Sequence, residues 1–116
     1  MNSDPEPIVN CGIVYDPIME KHHTGTGHPE RNNRASIIFQ KLKEKELLRF
    51  TKDIPIKQCT FEHLSLAHKP DYLRKVKREI ESGLSSLSTG DTAICDQSWN
   101  VASAVTGGIL NAVEQV

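Results

Sequence analysis

The sequence predicts an α/β protein that is mostly helical, with one or two strands of the parallel type. Residues 8–15 form an apolar, β-branched run that ends at Asp16-Pro17, which is typical of a buried parallel strand. Apolar residues then recur at helical spacing, most clearly over residues 33–49 and 98–116. A polar loop with three histidines separates the strand from the first helix. This loop is either a functional site at a strand end or a plain surface connection.

The composition is that of a small protein without a strong charge bias. The chain has 116 residues, of which 37% are hydrophobic, and its net charge is −1. This balance gives no indication of a nucleic-acid partner or an anionic membrane. The N-terminus lacks a signal-peptide pattern, and no apolar run is long enough to cross a bilayer. We therefore expect a cytoplasmic protein, or a nuclear one in a eukaryote.

The first half of the chain is predicted to contain the strand, one long helix and a short extended segment. Residues 1–7 contain two prolines and two acidic residues, so we expect a disordered lead with little to bury. The long helix is predicted over residues 33–49. The extended segment is predicted over residues 54–59, where Pro55 favours a sheet edge or a connection.

The middle of the chain carries clear helix start and stop signals. Thr60 is predicted to cap a short helix that runs to about residue 67. Pro70 suits the first position of the next helix, which Gly83 is predicted to end. The lysines and arginines on both long helices alternate with glutamates, so we interpret them as solvated faces rather than as binding surfaces.

The last third is predicted to be a polar loop followed by a helix. Residues 84–97 are too long for a mere connection, which indicates a functional or a mobile loop. Gly107 and Gly108 lie inside the helix, where each costs about 1 kcal/mol relative to alanine and indicates a close backbone approach. A parallel strand also needs neighbours for its N–H and C=O groups. We therefore expect a chain that is truncated, with further strands supplied from elsewhere.

Three motifs follow one another along the chain. The first is HHTGTGHPER over residues 22–31, followed by Arg34; the second is AHKPDYL over residues 67–73. The third is GDT over residues 90–92, which leads into the last helix. In this order they resemble the N-terminal part of histone deacetylases and acetylpolyamine amidohydrolases, from about residue 12 to residue 116.

The resemblance implies an arginase-deacetylase fold built on a parallel sheet, with residues 8–116 as its N-terminal portion. The family uses zinc, a pair of histidines and a tyrosine to hydrolyse amides of acetyl-lysine or of acetylated polyamines. In the family those groups lie beyond the last helix found here. We therefore expect zinc in the complete domain, but neither a catalytic residue nor a metal ligand in this chain, which should be inactive alone.

Two positions match binding residues of the family. Asp91 matches a carboxylate at the rim of the pocket, which accepts hydrogen bonds from the backbone amides of the substrate. The alternative is a turn aspartate after Gly90. Arg34 matches an arginine of the cavity beneath the zinc site, where it would pair with the acetate product. The alternative is a salt-bridged arginine at a helix start, although the first turn is unfavourable for a cation.

The loop histidines are predicted to be binding residues rather than metal ligands. The spacing of His22, His23 and His28 resembles neither a helical His-x-x-x-His pair nor a zinc knuckle. In the family this loop forms a wall of the substrate channel. The resemblance therefore implies that His22 and His23 bind substrate.

Two other hypotheses remain from the sequence. One is a small non-catalytic interaction protein, derived from the family, that covers its open strand by self-association or with a partner. The other is a metal-binding protein that uses His22, His23 and His28. The sequence does not separate a histone from another acetylated protein, a polyamine or a small amide as substrate.

Overall fold

Two short strands lie side by side and run parallel. The structure, a computed structural model, describes residues 11–25 and 27–115. Strand β1, Cys11–Val14, pairs with β2, Thr51–Ile54, so that Val14 lies opposite Ile54. The α/β class and the parallel type of β1 are confirmed, but the prediction that this strand is buried was wrong, since its first two residues are exposed and its last two are half-buried. The predicted lead, 1–7, and the start of the predicted strand, 8–10, lie outside the described residues.

The second strand lies earlier in the chain than predicted. The extended segment was expected over residues 54–59, but β2 ends at Ile54. Pro55 follows directly and has no N–H to donate to the sheet, so the pairing stops there. Of the two alternatives for Pro55, the structure has the connection, because residues 55–60 lead from β2 to the next helix.

The predicted long helix is broken near its end, so its predicted extent was wrong. Helix α1 spans Arg34–Glu44, and a 3-10 helix, Leu47–Phe50, follows it. Between them Glu46 has a φ of 59°, in the left-handed region that reverses the chain direction. The reversal is needed because the chain must return to β1 and start β2 at Thr51. The helical spacing over residues 33–49 does not indicate that the chain must turn back to pair with β1.

Helices cover both faces of the sheet. On one face Tyr15, just after β1, stacks on Phe39 of α1 with ring centroids 4.2 Å apart. On the other face lies α4, Ser98–Gln115. An added Cβ at Gly107 would overlap the carbonyl of Lys57. The predicted close approach of another backbone to the helix glycines is thus confirmed.

The remaining helices begin where the sequence predicted. Thr60 caps α2, Phe61–Leu64, by accepting the N–H of His63 at 3.1 Å; this helix is shorter than expected. Helix α3, Pro70–Glu81, has Pro70 as its first residue, and Gly83 follows with a φ of 87°. In the described part of the chain no helix is both long and apolar enough to cross a membrane.

Candidate functional site

Residues 84–97 form a closed hairpin rather than an irregular loop. Ser86 and Ala93 form an antiparallel bridge, and the N–H of Leu87 donates to the carbonyl of Thr92 at 2.9 Å. This pairing was not predicted, because the polar composition of the segment is that of a loop. We call residues 84–97 the hairpin, and residues 88–91 its tip.

The hairpin is anchored in the small hydrophobic core. Leu87 and Ile94 are buried against Ile80 of α3, with Val76 and Trp99 packed on the same cluster. Burying two large aliphatic side chains contributes roughly 1.5–3 kcal/mol each. These two residues, in an otherwise polar segment, were the signal in the sequence that could have indicated an ordered hairpin.

Asp91 lies at the tip and is exposed to solvent. Three residues earlier, Ser88 is bound by the carboxylate of Glu79: its N–H donates to Oε1 at 2.8 Å, and its hydroxyl donates to Oε2 at 2.5 Å. These two hydrogen bonds, the hydroxyl first, lower the pKa of Glu79 from its usual value, and the positive charges of Lys75 and Arg78 add to the effect. The tip that carries Asp91 is therefore tied to helix α3.

The histidine loop is tied to the other end of the hairpin. Nδ1 of His22 lies 2.7 Å from the hydroxyl of Ser98, which also accepts the N–H of Cys95 at 2.8 Å. Burial, and then the charges of His23 and His28, lower the pKa of His22 below 6.5. Burial and the neighbouring charges thus favour neutral His22.

Cys95 makes a second connection to the same loop. Its sulfur accepts the N–H of His23 at 3.2 Å and lies 3.6 Å from the Ser98 hydroxyl, which donates to it. Burial raises the pKa of the Cys95 thiol, but the hydrogen bonds from His23, Ser98 and Gln97 together lower it further than burial raises it. The contact of Cys95 with His23 was not predicted, because it joins parts of the chain that are 72 residues apart.

A cavity of about 440 Å³ opens between α3, α4 and the hairpin. Its lining is mainly apolar, yet it includes His22 and Thr92, the residue after Asp91. The structure therefore brings His22 and the Asp91 hairpin to the same cavity. His23, the residue after His22, is exposed. Its backbone N–H donates to the sulfur of Cys95 in the hairpin.

Arg34 lies away from this cavity. It is the first residue of α1, its side chain is 56% exposed, and its guanidinium pairs with the carboxylate of Glu30. Of the two alternatives for Arg34, the structure shows the salt-bridged arginine at the helix start. The product-cavity role of Arg34 stays a prediction.

In the described part of the chain, the loop histidines belong to no cluster that could hold a metal ion. Within residues 11–25 and 27–115, no three His, Cys, Asp or Glu side chains are placed to hold a metal ion. Nδ1 of His28 accepts the N–H of Glu30 at 3.0 Å, and Nδ1 of His22 contacts Ser98. The described residues therefore do not by themselves fit a zinc ion, and the hypothesis of a metal-binding loop gains no support.

Similar proteins were found along most of the chain. The uncharacterized protein slr0245 of Synechocystis sp. is 29% identical over 107 residues, which are 90% of this chain and 35% of that protein. Histone deacetylase 9 of Homo sapiens is 33% identical over 59% of this chain, and histone deacetylase 4 of Caenorhabditis briggsae is 29% identical over 61% of it. The matches span only 7% and 8% of those two proteins.

The histone deacetylase domain profile matches residues 28–116. The matched range includes Arg34 and Asp91, whereas His22 and His23 precede it. It also contains the second and third motifs in their expected order. With a match over most of its length, the chain belongs to the histone deacetylase family.

Proposed function

We propose that this chain forms the substrate-binding rim of a zinc-dependent deacetylase, with Asp91 as the residue that holds the substrate. The observation that carries the proposal is the exposed carboxylate of Asp91 at the tip of a hairpin whose base is buried. Membership of the histone deacetylase family supports amide hydrolysis as the reaction.

The catalytic groups would come from the rest of a longer protein. Bound zinc supplies a Lewis acid that polarises the amide carbonyl and activates water. The chain spans 35% of one relative and less of the others, and its described residues gather no set of three ligands. We therefore expect that the 116-residue chain binds substrate weakly and hydrolyses nothing alone.

The carboxylate of Asp91 suits a peptide substrate. An acetyl-lysine peptide offers backbone N–H groups beside the modified side chain, and a carboxylate can accept two of them in charge-assisted hydrogen bonds. An acetylated polyamine offers no peptide N–H groups of this kind, although its ammonium groups would also be attracted. An acetylated protein is thus the substrate that Asp91 fits best, and an acetylated polyamine is the competing one.

The test is to replace Asp91 in the longest natural protein that contains this chain. With zinc bound, we expect Asp91→Asn to lower kcat/KM for an acetyl-lysine peptide by about 10- to 100-fold, since hydrogen bonds to charged groups contribute about 1.5–3 kcal/mol. Asp96→Asn is the matched control, because Asp96 is an exposed aspartate of the same hairpin. We expect it to change kcat/KM less than about twofold.

Two results would overturn the proposal, and a third would narrow it. One is equal activity of the two variants, and another is no deacetylation by the unaltered zinc-loaded protein. The third is an Asp91→Asn loss of the same size with acetylated polyamine and with peptide, which would remove the peptide preference but leave Asp91 as a binding residue.

A second candidate function is non-catalytic interaction through the last helix. Ile109 and Val113 on α4 are 54% and 66% exposed, and exposed apolar patches often mark interaction sites. Each strand of the sheet also has one edge that no other strand of the described part occupies. Sedimentation of the 116-residue chain tests this candidate: it requires a discrete oligomer that Val113→Asp dissociates, and a monomer at all concentrations would exclude it.

A further inference from the structure

Glu79 contacts the hairpin at both its start and its tip. It is a residue of the last turn of α3, and its backbone carbonyl accepts the N–H of Leu84 at 3.4 Å. Its side chain accepts both the N–H and the hydroxyl of Ser88 at the tip. A single residue therefore contacts the hairpin where it leaves the helix and again at its tip.

The other hydrogen bonds that shape the tip lie inside the hairpin. Leu87 N–H donates to the Thr92 carbonyl at 2.9 Å and closes the tip at its base. Gly90 N–H donates to the Leu87 carbonyl at 3.4 Å, and the Ser86 hydroxyl donates to the Gly90 carbonyl at 3.4 Å. These bonds shape the tip but do not fix its direction relative to α3. In the described part of the chain, the side-chain hydrogen bonds that do so come from Glu79, and they add to the apolar packing of Leu87 and Ile94 on Ile80.

We propose that Glu79 is a positioning residue, which orients the hairpin tip so that Asp91 is presented to the substrate. The proposal rests on the function proposed above for Asp91. Glu79 itself contacts neither substrate nor zinc; it acts through Ser88, which lies three residues before Asp91. Without the Glu79 side chain the carboxylate of Asp91 would still be present, but it could point in directions in which it does not contact the substrate.

A carboxylate accepts from both donors of this contact. Ser88 presents two donors, one from the backbone and one from the hydroxyl, and Glu79 meets them with two acceptor oxygens. Glutamine would offer one acceptor oxygen for the N–H, and an amide that donates to the Ser88 hydroxyl once that hydroxyl turns its own hydrogen away. Glu79→Gln therefore removes the charge from both bonds and reverses one of them at almost unchanged size, and Glu79→Ala breaks both.

The first experiment uses the 116-residue chain and does not depend on deacetylase activity. Amide hydrogen exchange, followed by NMR, should accelerate about 10-fold or more at residues 88–92 in Glu79→Ala, because local opening becomes easier when charge-assisted bonds are lost. Glu79→Gln should give an intermediate increase. Exchange within α4 should stay unchanged in both variants.

Two further variants keep this experiment decisive. Glu81→Gln is the matched control, since Glu81 is an exposed glutamate at the end of the same helix, and its exchange pattern should equal that of the parent. Ser88→Ala removes only the hydroxyl and leaves α3 untouched, so it tests the contact even if the Glu79 variants fold poorly. Unchanged exchange at residues 88–92 in Ser88→Ala and Glu79→Gln would overturn the proposal.

The second experiment uses the longer, zinc-loaded protein. We expect Glu79→Gln to raise KM for an acetyl-lysine peptide by about 5- to 10-fold with kcat within about twofold, because positioning affects binding rather than the reacting groups. In an Asp91→Asn background the same change should have no further effect, since the two residues act in one contact.

The two proposals fail in distinguishable ways. If Asp91→Asn impairs peptide binding but Glu79→Gln does not, the positioning role of Glu79 is wrong and the role of Asp91 stands. Glu79→Gln could instead accelerate exchange at residues 88–92 in the 116-residue chain, while neither Glu79→Gln nor Asp91→Asn impairs peptide binding by the longer enzyme. In that case the structural link is present and the proposed function of Asp91 is wrong.

Discussion

Nδ1 of His22 lies 2.7 Å from the hydroxyl of Ser98, although 76 residues separate them. Ser98 is buried at the start of α4, and its hydroxyl also accepts the N–H of Cys95. One hydroxyl thus joins the histidine loop to the end of the hairpin that carries Asp91. Together with the bond from the His23 N–H to the Cys95 sulfur, this contact links the two segments that the family resemblance assigned to the substrate channel.

Removing that hydroxyl should destabilise the chain. We expect Ser98→Ala to lower the free energy of unfolding by about 1–3 kcal/mol, because it leaves the partly buried N–H of Cys95 and the ring of His22 without their partner. Urea-induced unfolding measures the effect. Ser85→Ala, an exposed serine of the hairpin, is the control and should stay within about 0.5 kcal/mol of the parent. Equal midpoints for the two variants would contradict the contact.

The burial of His22 predicts how stability depends on pH. Burial, followed by the charges of His23 and His28, lowers the pKa of His22 below 6.5 in the folded chain. The unfolded chain therefore binds the proton more readily, and stability rises with pH across this window. The contribution of His22 should be complete above pH 6.5 and should be lost as the pH falls through its lower folded pKa. NMR titration and urea unfolding at several pH values would check it.

His22→Gln provides the comparison for that titration. Glutamine cannot take up a proton, so the part of the pH dependence that belongs to His22 should vanish in this variant. A His22 titration midpoint at or above 6.5 in the folded parent chain would show that the ring is not placed as described here.

A substitution in α4 should reverse the usual effect of helix propensity. Inside an exposed helix, glycine to alanine stabilises by about 1 kcal/mol. At Gly107 the new methyl group would overlap the backbone carbonyl of Lys57, so we expect a loss of about 1–3 kcal/mol instead. Thermal or urea unfolding of Gly107→Ala measures this loss.

Gly108→Ala is the control for that prediction. Its methyl group would lie 2.6 Å from Cγ1 of Val14, a side-chain atom that can move, so the loss should be smaller than at Gly107. A Gly107→Ala variant as stable as the parent would mean that the segment around Lys57 does not pack against α4 as described.

Arg34 allows its two interpretations to be separated. Its ion pair with Glu30 is exposed, and exposed pairs contribute about 0–1 kcal/mol. We expect Arg34→Ala to change the free energy of unfolding of the 116-residue chain by less than about 1 kcal/mol. In the longer zinc-loaded protein a product-cavity role requires a clear loss of turnover, whereas Lys41→Ala, in another exposed pair of α1, should leave turnover unchanged.

The parts of the fold that depend on neighbouring residues were predicted correctly. The start of α2 at Thr60 and that of α3 at Pro70 follow from hydrogen bonds and φ preferences within one turn of chain. The end of α1 was not predicted, because Glu46 reverses the chain only so that β2 can reach β1. The hairpin was missed for the same reason: its packing on Ile80 is not visible in a polar stretch of sequence.

By itself the sequence determined the α/β class, the helix starts, the close approach at Gly107 and, through its motifs, the family and the prediction for Asp91. Those features need only local chemistry or a pattern along the chain. Only the tertiary structure decided the strand pairing, the contact of His22 with Ser98 and the link from Glu79 to Ser88. Each of these joins groups that approach only after folding, because burial and hydrogen bonding between distant segments, rather than local preference, select their positions.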